Sequence, residues 1–178
     1  MSKVIQISKF LCKFLRHSPE KLGITLDSAG WVSIDNLLIA CEDYGFPITL
    51  EELQETVRLD DKQRFSIKLG FIKANQGHSI SVDLELTPMQ PPVVLYHGTA
   101  TRFLDSILSN GLSKQKRTHV HLTKNIEVAK SVGSRYGEPV MLIVDSYSMY
   151  GDGYDFYLSE NNVWLTDNVP KEYIKVYA

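Results

Sequence analysis

The chain of 178 residues has little cysteine: Cys12 and Cys41 stand far apart, with no CxxC spacing and no third thiol. A disulfide framework and a cysteine zinc module are excluded, and two reduced, packed thiols are expected. No apolar run approaches the roughly 20 residues that a membrane-spanning helix needs. Met1-Ser2-Lys3-Val4-Ile5-Gln6 does not have the pattern that opens a signal peptide, so a cytoplasmic protein that touches no membrane is expected. Excess charge is missing as well. The net charge is −2, and residues 1–88 carry 10 Lys+Arg against 12 Asp+Glu while residues 93–178 carry 9 against 9. No broad electrostatic footprint for nucleic acid exists, and any RNA contact must rest on a local patch. HExxH, GxSxG and the P-loop are absent, and Asp152-Gly153-Tyr154-Asp155 lacks the full spacing of a calcium loop and reads as a turn. There is no internal repeat and no low-complexity segment.

What is present falls into two halves. From Val4 to Leu15, Ile7, Phe10, Leu11, Phe14 and Leu15 recur at helical spacing, and the helix ends at Arg16-His17-Ser18-Pro19 because proline disfavours helix at the residue before it. A loop follows, with Gly23 and Gly30 as turn signals and Trp31-Val32 after them. Ser33 caps a second expected helix bearing Ile34, Leu37, Leu38 and Cys41, closed by Gly45. Thr49-Leu50-Glu51-Glu52 matches a capping box for a third. Residues 64–67 and 71–74 flank Leu69-Gly70 as a hairpin. Three helices and a hairpin make a winged-helix-like lobe over residues 1–86. Thr87-Pro88-Met89-Gln90-Pro91-Pro92, the chain's one proline cluster, reads as a linker over 87–92.

The second lobe, residues 93–178, opens on a strand ending Leu95-Tyr96-His97-Gly98-Thr99, in which Gly98 permits close approach of backbone to a ligand. Thr99 or Thr101 then caps a helix whose apolar stripe is Phe103, Leu104, Ile107 and Leu108, stopped by Asn110-Gly111. Next comes a strand in Arg117-Thr118-His119-Val120-His121-Leu122-Thr123, where period 2 puts His119 and His121 on one face. Asn125 caps a further helix with Val128, Ala129 and Val132. Strands are expected at 139–145, 163–166 and near 173–177, with a Gly/Tyr/Asp-rich loop at 150–157. Short strands with two helices give an α+β lobe.

Two constellations carry chemistry. In the first half, Arg16-His17, Asp61-Lys62-Gln63-Arg64-Phe65 and Ala74-Asn75-Gln76-Gly77-His78-Ser79 are either separate surface groups with turn chemistry or one anion site. Guanidinium groups donate to phosphate in two-pronged fashion, and a histidine donates or exchanges a proton near neutral pH. In the second half, three of the five histidines (His97, His119, His121) cluster around one strand–helix–strand unit. A three-histidine zinc site is chemically sensible, but nothing nearby repeats a zinc-hydrolase motif, and no metal is the expectation.

Leu15-Arg16-His17, Asp27-Ser28-Ala29-Gly30-Trp31-Val32, Lys62-Gln63-Arg64-Phe65 and Asn75-Gln76-Gly77-His78-Ser79 resemble, in order, the N-lobe signatures of the NAD-dependent RNA 2′-phosphotransferase family. Leu95-Tyr96-His97-Gly98-Thr99, Arg117-Thr118-His119-Val120-His121-Leu122 and Asn162-Val163-Trp164-Leu165-Thr166 resemble its C-lobe signatures. One departure is visible: Lys73 stands where an arginine is often seen, a cation for a cation. The resemblance implies an α+β chain with a winged-helix-like RNA lobe and an NAD-binding lobe of the ADP-ribosyltransferase fold. It implies transfer of an internal RNA 2′-monophosphate, as at a tRNA splice junction, to NAD as cosubstrate. The products would be 2′-hydroxyl RNA, nicotinamide and ADP-ribose 1″,2″-cyclic phosphate.

The family's catalytic tetrad maps onto Arg16, His17, Arg64 and Arg117, and its NAD-site histidines onto His97 and His121. His97, the Gly98 backbone and Thr99 would hold the nicotinamide half, and His121 would orient its ribose. Val163 stands where this fold often carries a glutamate, and its lack of charge suits an acceptor phosphate that needs no general base. The roles of His119 and His78 are left open. A monomer acting on 2′-phosphorylated RNA is expected. One alternative is an enzyme that stops halfway, leaving ADP-ribose on terminal phosphates of RNA or DNA. Another is a winged-helix regulator with an NAD-sensing lobe, against which the weakly acidic first half argues.

Overall fold

A computed structural model describes residues 2–177, and the chain divides into two compact units, Met1–Glu85 and Leu86–Ala178. The class is mixed α and β: seven α-helices and several small antiparallel sheets among the described residues. No helix among them is long and apolar enough to cross a membrane.

The first unit runs α1 (Lys3–Arg16), α2 (Pro19–Leu22), β1 (Val32–Ser33), α3 (Ile34–Asp43), α4 (Leu50–Arg58), β2 (Phe65–Lys68) and β3 (Phe71–Ala74). Helix α1 buries Ile7, Leu11, Phe14 and Leu15, the stripe its periodicity announced. Each such side chain contributes about 1.5–3 kcal/mol on full burial. They pack with Leu37, Cys41, Leu53, Phe65 and Ile72 in one core. Burial raises the Cys41 thiol to about 11, so it stays protonated and inert. Ser33 caps α3 by accepting from Asn36 N–H, and Thr49 with Glu52 forms the expected reciprocal capping box on α4. Strands β2 and β3 pair antiparallel with Lys68 opposite Phe71, so Leu69 (φ 50°) and Gly70 (φ 79°) make a two-residue turn with both φ positive. Strand β1 joins the other side of β3, giving the order β1-β3-β2. The expected loop after α1 contains α2, a single turn with Pro19 at its first position. Proline ended one helix and, with its preset φ, began another.

In the second unit the elements are β4 (Leu95–Ala100), α5 (Thr101–Asn110), β5 (Leu112–Ser113), β6 (Val120–Leu122), α6 (Ile126–Gly133), β7 (Pro139–Val144), α7 (Ser146–Gly151), β8 (Tyr157–Leu158), β9 (Trp164–Thr166), β10 (Asn168–Val169) and β11 (Ile174–Val176). Strand β7 sits between β4 and β11, β9 sits between β6 and β8, and β5 pairs with β10, all antiparallel. A bridge between Tyr96 and Thr123 ties the first two of these sheets. Leu95, Leu142, Val144, Met149, Phe156 and Trp164 form the core. The proline-rich stretch contributes main-chain ties within this unit: Met89 N–H donates to Phe156 C=O at 2.8 Å, and Pro92 C=O accepts from Ser146 Oγ at 2.7 Å.

Three expectations need correction here. The unit has three helices, since Asp145 caps α7 by accepting from Ser148 N–H where only strand and loop were expected. Helix α5 is capped by neither Thr99 nor Thr101: its N-cap is Ala100, which makes no side-chain cap because β4 runs straight into the helix. Strands β5, β8 and β10 went unread because two residues carry no periodicity.

Candidate functional site

In the first unit the cation-bearing segments meet on one stretch, residues 75–79. Arg16 is the last residue of α1 and His17 its C-cap, where cations favour the helix dipole. Ser79 holds both: its N–H donates to Arg16 C=O at 2.9 Å, and its hydroxyl lies 2.8 Å from His17 Nδ1. The His17 side chain is exposed and Arg16 is half-buried. Asn75, four residues earlier, holds the Arg64 turn. Its N–H donates to Arg64 C=O at 2.8 Å and its Nδ2 to Gln63 C=O at 2.7 Å, while its Oδ1 accepts from Ser66 Oγ at 2.7 Å. Gln63 sits at φ 44°, a conformation that side chains rarely adopt, and these bonds hold it there. The Arg64 guanidinium pairs with the Asp60 carboxylate, whose side chain is only 4% exposed.

The remaining first-unit signatures are held by local bonds and burial. Asp27 Oδ1 accepts from Ala29 N–H and Trp31 N–H at 2.9 and 2.8 Å, closing the turn before β1. Lys73 is buried, with its ammonium 4.8 Å from the centre of the Trp31 ring, a cation–π contact. His78 is fully buried beside Gly30, whose φ of 86° disfavours a side chain and where an added Cβ would stand 3.1 Å from Val82 and 3.6 Å from His78 Nε2. The histidine left open by sequence is fully buried within the stretch that carries Asn75 and Ser79.

In the second unit His97 and His121 are neighbours where the sheets of β4 and β6 meet beside the Tyr96–Thr123 bridge. His97 Nδ1 lies 3.0 Å from His121 C=O, so Nδ1–H donates and Nε2 carries the lone pair. Burial lowers the His97 pKa, partly offset by that carbonyl, and the ring is neutral near pH 7. His121 lies between buried Val120 and Leu122, the alternation expected of a strand with one buried face. Gly98 faces helix α6: a Cβ there would lie 1.7 Å from Ala129 C=O, and one on Gly133 would lie 2.5 Å from Thr99 C=O. The close approach that glycine permits at 98 is therefore to helix backbone. Thr99 is buried opposite Val140.

Arg117 lies in the exposed loop before β6, its N–H donating to Lys114 C=O at 2.9 Å. His119 precedes β6 and meets the Tyr157 ring edge-on, centroids 5.7 Å apart, and burial lowers its pKa. Among the described residues no three His, Cys, Asp or Glu side chains group as a metal would require, so His97, His119 and His121 do not form such a set. Val163, just ahead of β9, is held through its main chain by Ser159: its N–H donates to Ser159 Oγ at 3.0 Å and its C=O accepts from Ser159 N–H at 2.9 Å.

Asp60, Asn75 and Ser79 were not singled out individually from sequence. A carboxylate four residues before Arg64 was visible, but nothing local shows that it folds back on that arginine.

Comparison with known proteins finds relatives along nearly the whole chain. A family profile described as "RNA 2'-phosphotransferase, Tpt1 / KptA family" matches residues 2–168. A protein of Trichormus variabilis described as a probable RNA 2′-phosphotransferase is 50% identical over 175 residues, 97% of this chain and 96% of its own length. One from Nostoc punctiforme with the same description is 49% identical over 98% of this chain and 97% of its own, and one from Flavobacterium johnsoniae is 51% identical over 95% and 94%. The chain belongs to the RNA 2′-phosphotransferase family.

Proposed function

We propose that this chain transfers an internal RNA 2′-monophosphate to NAD, leaving 2′-hydroxyl RNA, nicotinamide and ADP-ribose 1″,2″-cyclic phosphate. One observation carries the reading beyond family membership: segments 16–17 and 60–64 are both anchored on residues 75–79, so cations distant in sequence are fixed relative to one stretch. The first unit, a helix, a strand, two further helices and a hairpin in one antiparallel sheet apart from the one-turn α2, is read as a winged helix. The second is read as an ADP-ribosyltransferase-like fold.

The second unit's residues fit NAD chemically. A neutral His97 with Nδ1 donating to a carbonyl offers Nε2 as an acceptor and does not repel a cationic nicotinamide ring. NAD supplies a ribose C1″ bearing a good leaving group. Arg16, His17 and Arg64 hold the 2′-phosphate, whose oxygen attacks that carbon. Arg117 adds charge stabilisation when the ribose 2″-oxygen later displaces the RNA 2′-oxygen from phosphorus. His17, held through Nδ1 by Ser79, is read as exchanging a proton with the phosphate. His97, the Gly98 and Thr99 main chain, His121 and Val163 surround the nicotinamide riboside. The reading includes no metal and no second copy of the chain, and places the enzyme in the cytoplasm.

The test is incubation with NAD and a short RNA carrying one internal 2′-phosphate, with the products resolved. Release of the cyclic phosphate with 2′-hydroxyl RNA is expected. A lasting ADP-ribose adduct on a terminal phosphate would replace this reading with the alternative, and no NAD consumption would remove both.

A further inference from the structure

Arg64 is one of the cations assigned to the phosphate, and its side-chain and main-chain ties converge on one residue that no signature includes. Asp60 accepts from Arg64 N–H at 2.6 Å and from Lys62 N–H at 3.2 Å, and it pairs with the Arg64 guanidinium through Nη1. Its own C=O accepts from Gln63 N–H at 2.9 Å. The Asp60 side chain is 4% exposed and that of Arg64 27%, so the pair is largely withdrawn from water while the arginine keeps an open edge. A buried carboxylate is costly unless paired and hydrogen-bonded, and this one has a guanidinium and two amides. Asp61, the next residue, stands 3.9 Å from the same Nη1 but is 84% exposed, where solvent weakens its pull.

We infer that Asp60 is the positioning residue of Arg64: it clamps Nη1 and the main-chain N–H, so that Nε and Nη2 form a fixed two-pronged edge for the phosphate. Those two nitrogens have no hydrogen-bond partner among the described residues. Planar guanidinium recognises an oxyanion through two parallel N–H bonds only when its plane is held, and Asn75 holds the other side of the turn at the Arg64 carbonyl. Asp60 touches neither RNA nor NAD, and acts wholly through Arg64. This inference rests on the reading of Arg64 as a phosphate ligand.

The experiment is a double-mutant cycle on the full chain, with NAD and a short RNA bearing an internal 2′-phosphate. Asp60→Asn keeps one acceptor oxygen, enough for one of the two amides, and loses the charge that orients the guanidinium. It should lower kcat/KM by about 10–100-fold, the loss that follows from misplacing a catalytic group by less than an ångström or so. The KM for NAD should not move, and the melting temperature should fall by only a few degrees. Asp60→Glu keeps the charge, shifts it by one methylene, and should lose less. In an Arg64→Ala background, adding Asp60→Asn should cost nothing further. Equal losses with and without Arg64, or full activity in Asp60→Asn beside a crippled Arg64→Ala, would overturn the role of Asp60 alone. Full activity in Arg64→Ala would instead overturn the phosphate assignment, and Asp60 with it.

Discussion

The two units build their candidate groups in opposite ways. In the first, Arg16, His17 and Arg64 sit at element ends or in a turn, exposed or partly so, and are steadied by Asn75 and Ser79 from far along the chain. In the second, His97 and His121 lie inside strands, aligned by the sheet, and burial keeps His97 neutral. A phosphate site needs full charges, which are tolerable only where water or a carboxylate such as Asp60 still solvates them. A neutral acceptor for a nicotinamide needs the reverse, a desolvated ring held by one carbonyl.

The sharpest break of this comparison is by arginine. Arg64→Ala and Arg117→Ala should each slow phosphate removal by on the order of 10²–10³-fold, as loss of one preorganised charge donor does. They should part in stability. Arg117 is exposed and its loss should leave melting unchanged. Arg64→Ala strands the buried Asp60 carboxylate, and melting should drop by several degrees. Early melting of Arg117→Ala would make that residue a structural tie.

Glycine separates the units next. Gly98→Ala drives a methyl into Ala129 C=O, and should cost at least the upper end of about 1–3 kcal/mol, lowering melting by about 6 °C or more. Gly45→Ala in the first unit meets open space and bears only its φ of 82°, worth about 1 kcal/mol. Comparable melting shifts would mean that α6 yields to the strand.

A third measurement follows single reaction steps. On labelled 2′-phosphate RNA, His17→Ala should let RNA joined to ADP-ribose through its phosphate accumulate, because negative charge rearranges at phosphorus in the second step. His97→Ala should slow nicotinamide release with no such species building up. The reverse pattern would exchange the roles of the two units.

The smallest effect is on pH. His97 and His119 have pKa values lowered by burial, so the unfolded chain binds their protons first, near the ordinary value of about 6.5. Stability from both is full above that pH and is lost as pH falls toward their folded values. Melting curves from pH 8 to 5 should show the decline, and His97→Gln should flatten it. An unchanged slope would place His97 outside the titrating set.

Much of this was legible from residue order alone. Apolar period placed α1 and its buried face, Ser33, Thr49-Glu52 and Asn125 announced helix starts, and Leu69-Gly70 marked a hairpin turn. Each is a local device, set by backbone sterics and hydrogen bonds within a few residues, so order suffices to read it. The signatures Arg16-His17, Arg64, His97 and His121 were legible as residue types but not as a geometry. Only tertiary structure decided that Ser79 and Asn75 anchor separate segments, that Asp60 turns back on Arg64, that His78 is core, and that Gly98 serves helix packing. Apart from the Asp60–Arg64 pair, four residues apart within one turn, those contacts join groups a dozen or more residues apart or depend on how closely two backbones approach. Neither quantity is written in the order of side chains until the chain has closed on itself.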